Sequence, residues 1–93
     1  MKMKVIAIRV PGGPDVLVPA ELDRPAPAEG QVLVKVAAAG VNRPDVMQRK
    51  GAYPPPLGAP ATPGLEIAGH VVALGQGVTR WKTGDEVCAL VPG

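Results

Sequence analysis

The chain has 93 residues, among them 12 Gly, 12 Pro and a single Cys, and a formal net charge of +2. This length suits one small domain, and so weak a charge argues against a nucleic-acid-binding protein, which is expected to carry a clustered basic face. One cysteine excludes an internal disulfide and a cysteine-rich zinc site. The basic start is not followed by an unbroken apolar run, and no window is long enough to span a membrane, so we expect a soluble cytoplasmic protein.

Five segments rich in aliphatic residues predict β-strands. They are residues 4–10, 16–22, 31–40, 65–75 and 86–91. Pro19 marks the second segment as an edge strand or a bulge, and Gly69 predicts a bulge or a close backbone approach in the fourth. With the high Gly and Pro content, these short strands predict a mainly β fold, a partly open antiparallel β-barrel with one short helix.

The short helix is predicted at residues 42–50, with the sequence NRPDVMQRK. Asn42 is a plausible N-cap and Pro44 falls in the first turn. Asn42 and Asp45 have the spacing of a capping box, in which each satisfies N–H groups of the first turn. The prolines of residues 52–64 exclude regular structure there.

The other polar residues have ordinary structural interpretations. His70, without partners at ligand spacing, is expected to be a rim or structural histidine, and Cys88 a small buried side chain. Residues 75–77 open a dinucleotide fingerprint, but Arg80 stands at the third glycine position and no helix pattern follows, so a hairpin turn is expected. Three basic residues of the helix are expected to be solvated: Arg43, Arg49 and Lys50.

Three motifs in order carry a family resemblance: PGGP, then EGQVLVKVAAAGVNRPDVMQRKGAYPPP, then PGLEIAGHVVALGQGVTRWKTGDEVCALVPG. The sequence resembles the medium-chain dehydrogenase/reductase superfamily, within it the quinone oxidoreductases, and most closely the p53-inducible-gene type. The resemblance implies a two-domain enzyme with a GroES-like catalytic domain and a Rossmann domain for NADPH. Residues 1–93 match the N-terminal part of the GroES-like domain, so the Rossmann domain is expected to lie outside this chain. The isolated chain is expected to be inactive.

The resemblance also implies that no catalytic zinc is bound. Zinc-dependent alcohol dehydrogenases of this superfamily carry a Cys shortly after the VKV strand and a His in a GHE motif. Here the stretch AAAGVNRPD contains no Cys, and Leu65 stands where the His would be. Reduction of a quinone needs less help from a Lewis acid than alcohol oxidation, because the nicotinamide delivers hydride to an electron-poor ring.

From the same resemblance, Tyr53 and Asn42 are the expected catalytic residues, Asn42 and Asp45 the expected cofactor-binding residues, and no metal ligand is expected. The implied function of the full-length enzyme, a homodimer, is hydride transfer from NADPH to a small-molecule quinone. Two alternatives stay open. One is NADPH-dependent reduction of C=C bonds in enones or alkenals, and the other is a stand-alone GroES-like binding or co-chaperone module. Neither a nucleic acid nor a membrane is expected as a partner.

Overall fold

The structure, a computed structural model, describes residues 1–91, which contain five β-strands, one α-helix and one 3-10 helix. In chain order these elements are β1 (Lys2–Ile8), the 3-10 helix (Pro14–Val16), β2 (Leu17–Asp23), β3 (Val32–Ala39), α1 (Arg43–Arg49), β4 (Glu66–Leu74) and β5 (Glu86–Leu90). The strands form two open sheets, β1–β2 and β3–β4–β5. The prediction of a mainly β fold with one short helix is therefore confirmed. Among the described residues, no helix has the length and apolarity needed to cross a membrane.

The chain divides into two compact units, and the first contains residues 1–24 and 40–65. Within it, β1 and β2 pair antiparallel from Lys2 opposite Asp23 to Ile8 opposite Leu17. Lys2 Nζ lies 2.7 Å from a carboxylate oxygen of Asp23 at one end of this pair. β1 begins two residues before the predicted range 4–10 and ends two residues before its end. Pro19 lies in this two-stranded sheet, where both strands are edges, as its missing N–H requires.

The 3-10 helix of the first unit was not predicted, because the sequence PGGPDV indicated only a turn. Pro14 opens this helix and Asp15 lies in its single turn. Val16 ends it and is 4% exposed, which makes it one of the few well-buried apolar side chains described.

The second unit contains residues 25–39 and 66–89, and its main feature is the three-stranded sheet. β3 and β4 pair antiparallel, with two register shifts that mark bulges. Gly69 lies opposite Val36 in this pair, and a Cβ at Gly69 would overlap the backbone carbonyl oxygen of Lys35. The close backbone approach predicted at Gly69 is therefore confirmed. Val71 of β4 is fully buried and forms the centre of this small core.

Candidate functional site

The N-terminus of α1 joins two of the predicted site residues. Asn42 has an extended backbone and caps the helix, and its N–H donates to a carboxylate oxygen of Asp45, Oδ2, at 2.9 Å. In return the Asn42 side chain accepts from the backbone N–H of Asp45, so the pair forms a capping box. The predicted capping box is confirmed. It holds the Asn42 backbone and the Asp45 carboxylate in one fixed arrangement.

The second carboxylate oxygen of Asp45 is in an unusual position. Asp45 Oδ1 is buried, and it has no hydrogen-bond partner among the described residues. A buried acceptor without a partner is costly, and native structures contain few of them. This oxygen is therefore an acceptor that receives no donor from the described residues.

The last turn of α1 anchors the proline-rich segment that follows. Gln48 is 7% exposed, and its side-chain Nε2 donates to the Ala61 carbonyl oxygen at 2.9 Å. The Ala52 N–H donates to the Met47 carbonyl oxygen at 2.8 Å. Gly51, with φ of +83°, ends the helix and turns the chain into this segment. Both ends of the segment are thus attached to α1.

Arg49 was expected to be solvated, and this prediction is wrong. Its Nε donates to the Gly12 carbonyl oxygen at 3.0 Å, while the Gly12 N–H donates to the Arg49 carbonyl oxygen at 2.9 Å. This reciprocal pair of hydrogen bonds attaches the PGGP loop, residues 11–14, to α1 and leaves Arg49 half-buried. Arg43 and Lys50 are exposed, as predicted.

Tyr53 lies directly after the Ala52 anchor and is 39% exposed, so a ligand can reach its side chain. The structure brings Asn42 and Asp45 into direct contact and places Tyr53 beyond the opposite end of the same helix. Asn42 and Asp45 therefore lie together at the start of α1, whereas Tyr53 lies in the loop that follows its end.

The sequence did not single out Gln48 and Arg49 as anchors. A signal for Gln48 existed in the segment 52–64, which contains five prolines. Proline has no N–H, so the carbonyl groups of such a segment depend on donors from elsewhere, and a glutamine amide supplies two. No comparable signal exists for Arg49, because its partner Gly12 lies 37 residues away.

The other residues given structural interpretations lie in the second unit. His70 is exposed on β4, opposite Lys35, as expected for a rim position. Residues 75–78 form a turn closed by the Val78 N–H on the Gly75 carbonyl oxygen at 3.3 Å, so the hairpin-turn interpretation of this Gly-rich stretch is confirmed. Cys88 is exposed, and the prediction of a buried thiol is wrong, because β5 is an edge strand in which only Val87, next to Cys88, is half-buried.

Metal-ligating side chains are dispersed over residues 1–91. No group of three or more His, Cys, Asp or Glu residues in this part of the chain is arranged to hold a metal ion. Leu65, at the position that the family resemblance relates to a zinc ligand, is half-buried and has no donor atom in its side chain.

The family assignment rests on the sequence of most of the chain. The alcohol dehydrogenase GroES-like domain family matches residues 28–92. The chain belongs to this family. It is thereby a member of the medium-chain dehydrogenase/reductase superfamily, as the three motifs indicated.

Two curated relatives illustrate the similarity. A quinone oxidoreductase of Lama guanicoe is 43% identical over 86 residues, which are 91% of this chain and 26% of the relative. A synaptic vesicle membrane protein VAT-1 homolog of Rattus norvegicus is 53% identical over 68 residues, which are 71% of this chain and 16% of the relative. The chain spans about a quarter or less of the length of these relatives.

Three solved structures share the fold over nearly all of the chain. A human VAT-1 homolog-like protein superposes with a TM-score of 0.88 at 35% identity, covering 98% of this chain and 29% of that one. A mycobacterial protein in complex with NADPH gives 0.81 at 36% identity, covering 96% and 28%. A cobalt- and zinc-bound alcohol dehydrogenase of Pyrobaculum aerophilum gives 0.83 at 38% identity, covering 95% and 26%. A metal-bound protein thus shares this fold, so the fold alone does not decide metal use.

Proposed function

We propose that residues 1–93 are the N-terminal part of the catalytic domain of a zinc-independent quinone oxidoreductase that transfers hydride from NADPH to a quinone. The observation that carries the proposal is the set of hydrogen-bonding groups on α1 and its loop, Asn42, Asp45 and Tyr53. These groups suit the positioning of a cofactor and a carbonyl compound. A quinone oxidoreductase 43% identical over most of the chain supports the substrate class.

The residues present fit a nicotinamide cofactor. The carboxamide of a nicotinamide ring carries N–H donors, and the unpartnered oxygen Asp45 Oδ1 is a buried acceptor that needs one. Asn42 is half-buried beside it. Asn42 and Asp45 would therefore hold the nicotinamide end, while the rest of the dinucleotide would bind to a Rossmann domain outside residues 1–93. The NADPH complex of the mycobacterial structure supports NADPH as the cofactor.

When bound, NADPH supplies the hydride, and this chain's residues supply the surroundings of the reaction. The Tyr53 hydroxyl donates a hydrogen bond to the quinone oxygen on which negative charge develops. Asn42 orients the reacting groups, and Asp45 fixes Asn42 through the capping box. Hydrogen bonding to the developing phenolate takes the place of a Lewis acid, which agrees with Leu65 at the zinc-ligand position of related alcohol dehydrogenases.

We further propose that the full-length enzyme is a cytoplasmic homodimer. The test of the function is a substrate panel on the full-length protein, with NADPH and NADH each offered quinones, enones and alkenals. We expect NADPH-dependent quinone reduction and no stoichiometric zinc by elemental analysis. Preference for the C=C substrates would replace the quinone proposal with the enone or alkenal alternative. One zinc per chain would overturn zinc independence, and a ring-shaped assembly without NADPH oxidation would favour a GroES-like binding module.

A further inference from the structure

The loop that carries Tyr53, residues 53–60, is attached at both ends to consecutive residues of α1. Before the loop, the Ala52 N–H donates to the carbonyl oxygen of Met47 at 2.8 Å. After it, the carbonyl oxygen of Ala61 accepts from the side chain of Gln48 at 2.9 Å. The first attachment uses the backbone, whereas the second depends on a single side chain.

The loop can make few hydrogen bonds within itself. Four of its eight residues are prolines, which have no N–H to donate to a neighbouring carbonyl group. Its tip turns at Gly58, with φ of +86°, and the Ala59 N–H donates to the Pro56 carbonyl oxygen at 3.0 Å. Because the prolines also fix φ, the loop is stiff between its attachment points, and a change at one end is transmitted along it.

The burial of Gln48 distinguishes its bond from an incidental surface contact. Gln48 is 7% exposed, and among the described residues it is the one polar side chain that is buried. An amide at such a position is costly unless it is hydrogen-bonded, and an apolar residue would fill the same space without that cost. The amide is therefore best explained by its partner, the Ala61 carbonyl group at the end of the Tyr53 loop.

We propose that Gln48 is a positioning residue, which closes the Tyr53 loop onto α1 and so fixes the Tyr53 hydroxyl relative to Asn42 at the start of the same helix. The consequence for catalysis rests on the proposed function. The tether itself, the hydrogen bond from Gln48 to the Ala61 carbonyl oxygen, does not. Gln48 acts through Tyr53 and needs no contact with the substrate.

The tether is tested by the order of the Tyr53 ring. Tyr53 is the only tyrosine of the 93 residues, which contain no phenylalanine, so its ring signals in NMR are free of overlap from other such rings. Two variants remove the donor and keep an apolar side chain of similar size, Gln48→Met and Gln48→Leu. The matched control is Arg49→Gln, which breaks the adjacent anchor to the Gly12 carbonyl oxygen and leaves the Ala61 bond in place.

We expect both Gln48 variants to increase the mobility of the Tyr53 ring on the nanosecond timescale, while backbone spectra show that the fold is retained. Arg49→Gln is expected to leave the Tyr53 ring as ordered as in the wild type. An equally ordered ring in either folded Gln48 variant would overturn the tether. Equal loosening by Arg49→Gln would overturn it too, because the effect would then be general loosening of α1.

The consequence for catalysis is tested by a double-mutant cycle in the full-length enzyme. Gln48→Met is expected to lower kcat/KM for quinone by about 2- to 12-fold, the effect of one misplaced hydrogen bond, with NADPH affinity unchanged. In a Tyr53→Phe background the same substitution is expected to have no further effect. Additive losses would overturn positioning through Tyr53. If Tyr53→Phe alone has no effect, the catalytic role of Tyr53 fails, while the NMR result still decides the tether.

Discussion

The α1 region, residues 40–65, and the three-stranded sheet β3–β4–β5 are stabilised in different ways. In the α1 region, side chains bond to backbone groups: Asp45 to the Asn42 N–H, Gln48 to the Ala61 carbonyl group and Arg49 to a carbonyl group of the PGGP loop. In the sheet, the ladder of backbone bonds carries the structure, with Val71 buried at its centre.

This difference accounts for the division of roles between the two regions. A sheet tolerates changes of polar side chains, because its bonds are made by the backbone, but it is sensitive to added volume where strands approach closely. The α1 region depends on the identity of individual side chains, and it carries the polar groups to which we assign the chemistry. We therefore expect added volume to be costly in the sheet, and the loss of a polar group to be costly in the α1 region.

The largest effect is expected from Gly69→Ala in β4. The added Cβ would overlap the Lys35 carbonyl oxygen of the neighbouring strand, which cannot move without breaking the ladder. We expect a loss of roughly 1–3 kcal/mol in the free energy of unfolding, measured by urea denaturation.

The matched control for Gly69→Ala is Gly13→Ala in the first unit. Gly13 has φ of −78°, which alanine adopts without strain, and the nearest atom to an added Cβ is Asp15 Oδ1 at 3.3 Å, on an exposed side chain. Its effect is expected to be within about 0.5 kcal/mol of zero. Equal losses for the two variants would contradict the assignment of the Gly69 cost to the close strand approach.

In both regions the sequence predicted the local features and missed those that depend on distant segments. The sheet strands were predicted to within one residue at each end, because alternating aliphatic residues record which face of a strand is buried. The capping box was predicted as well, since Asn42 and Asp45 interact over three residues of sequence. Predictions failed where burial depends on distant segments: Arg49 bonds to Gly12, and Cys88 lies on an edge strand.

An intermediate effect is expected from Asp45→Ala at the start of α1. The substitution leaves the Asn42 N–H without its acceptor, and loss of a capping interaction lowers the free energy of unfolding by about 0.5–2 kcal/mol. Asp45→Asn keeps an acceptor oxygen and is expected to cost less in urea denaturation. If Asp45 Oδ1 accepts a hydrogen bond from the cofactor, both variants of the full-length enzyme also bind NADPH more weakly in a titration. Unchanged affinity in both would limit Asp45 to the capping role.

The smallest effect is expected from Tyr53→Phe, which removes one hydroxyl from a side chain that is 39% exposed. No buried group loses a partner through this change, so the free energy of unfolding is expected to stay within about 0.5 kcal/mol of the wild type. Turnover of quinone by the full-length enzyme is expected to fall, because loss of the hydrogen bond to the developing phenolate raises the barrier by roughly 0.5–1.5 kcal/mol.

Steady-state kinetics with a quinone series check this expectation for Tyr53→Phe. The loss in kcat/KM is expected to shrink as the quinone becomes more electron-poor, since a more stable phenolate depends less on a donated hydrogen bond. A uniform loss across the series would instead mean that Tyr53 contributes to binding alone, and unchanged kinetics would remove Tyr53 from the site. The dependence on substrate thus separates a hydroxyl that acts on developing charge from one that lies at the edge of the cleft.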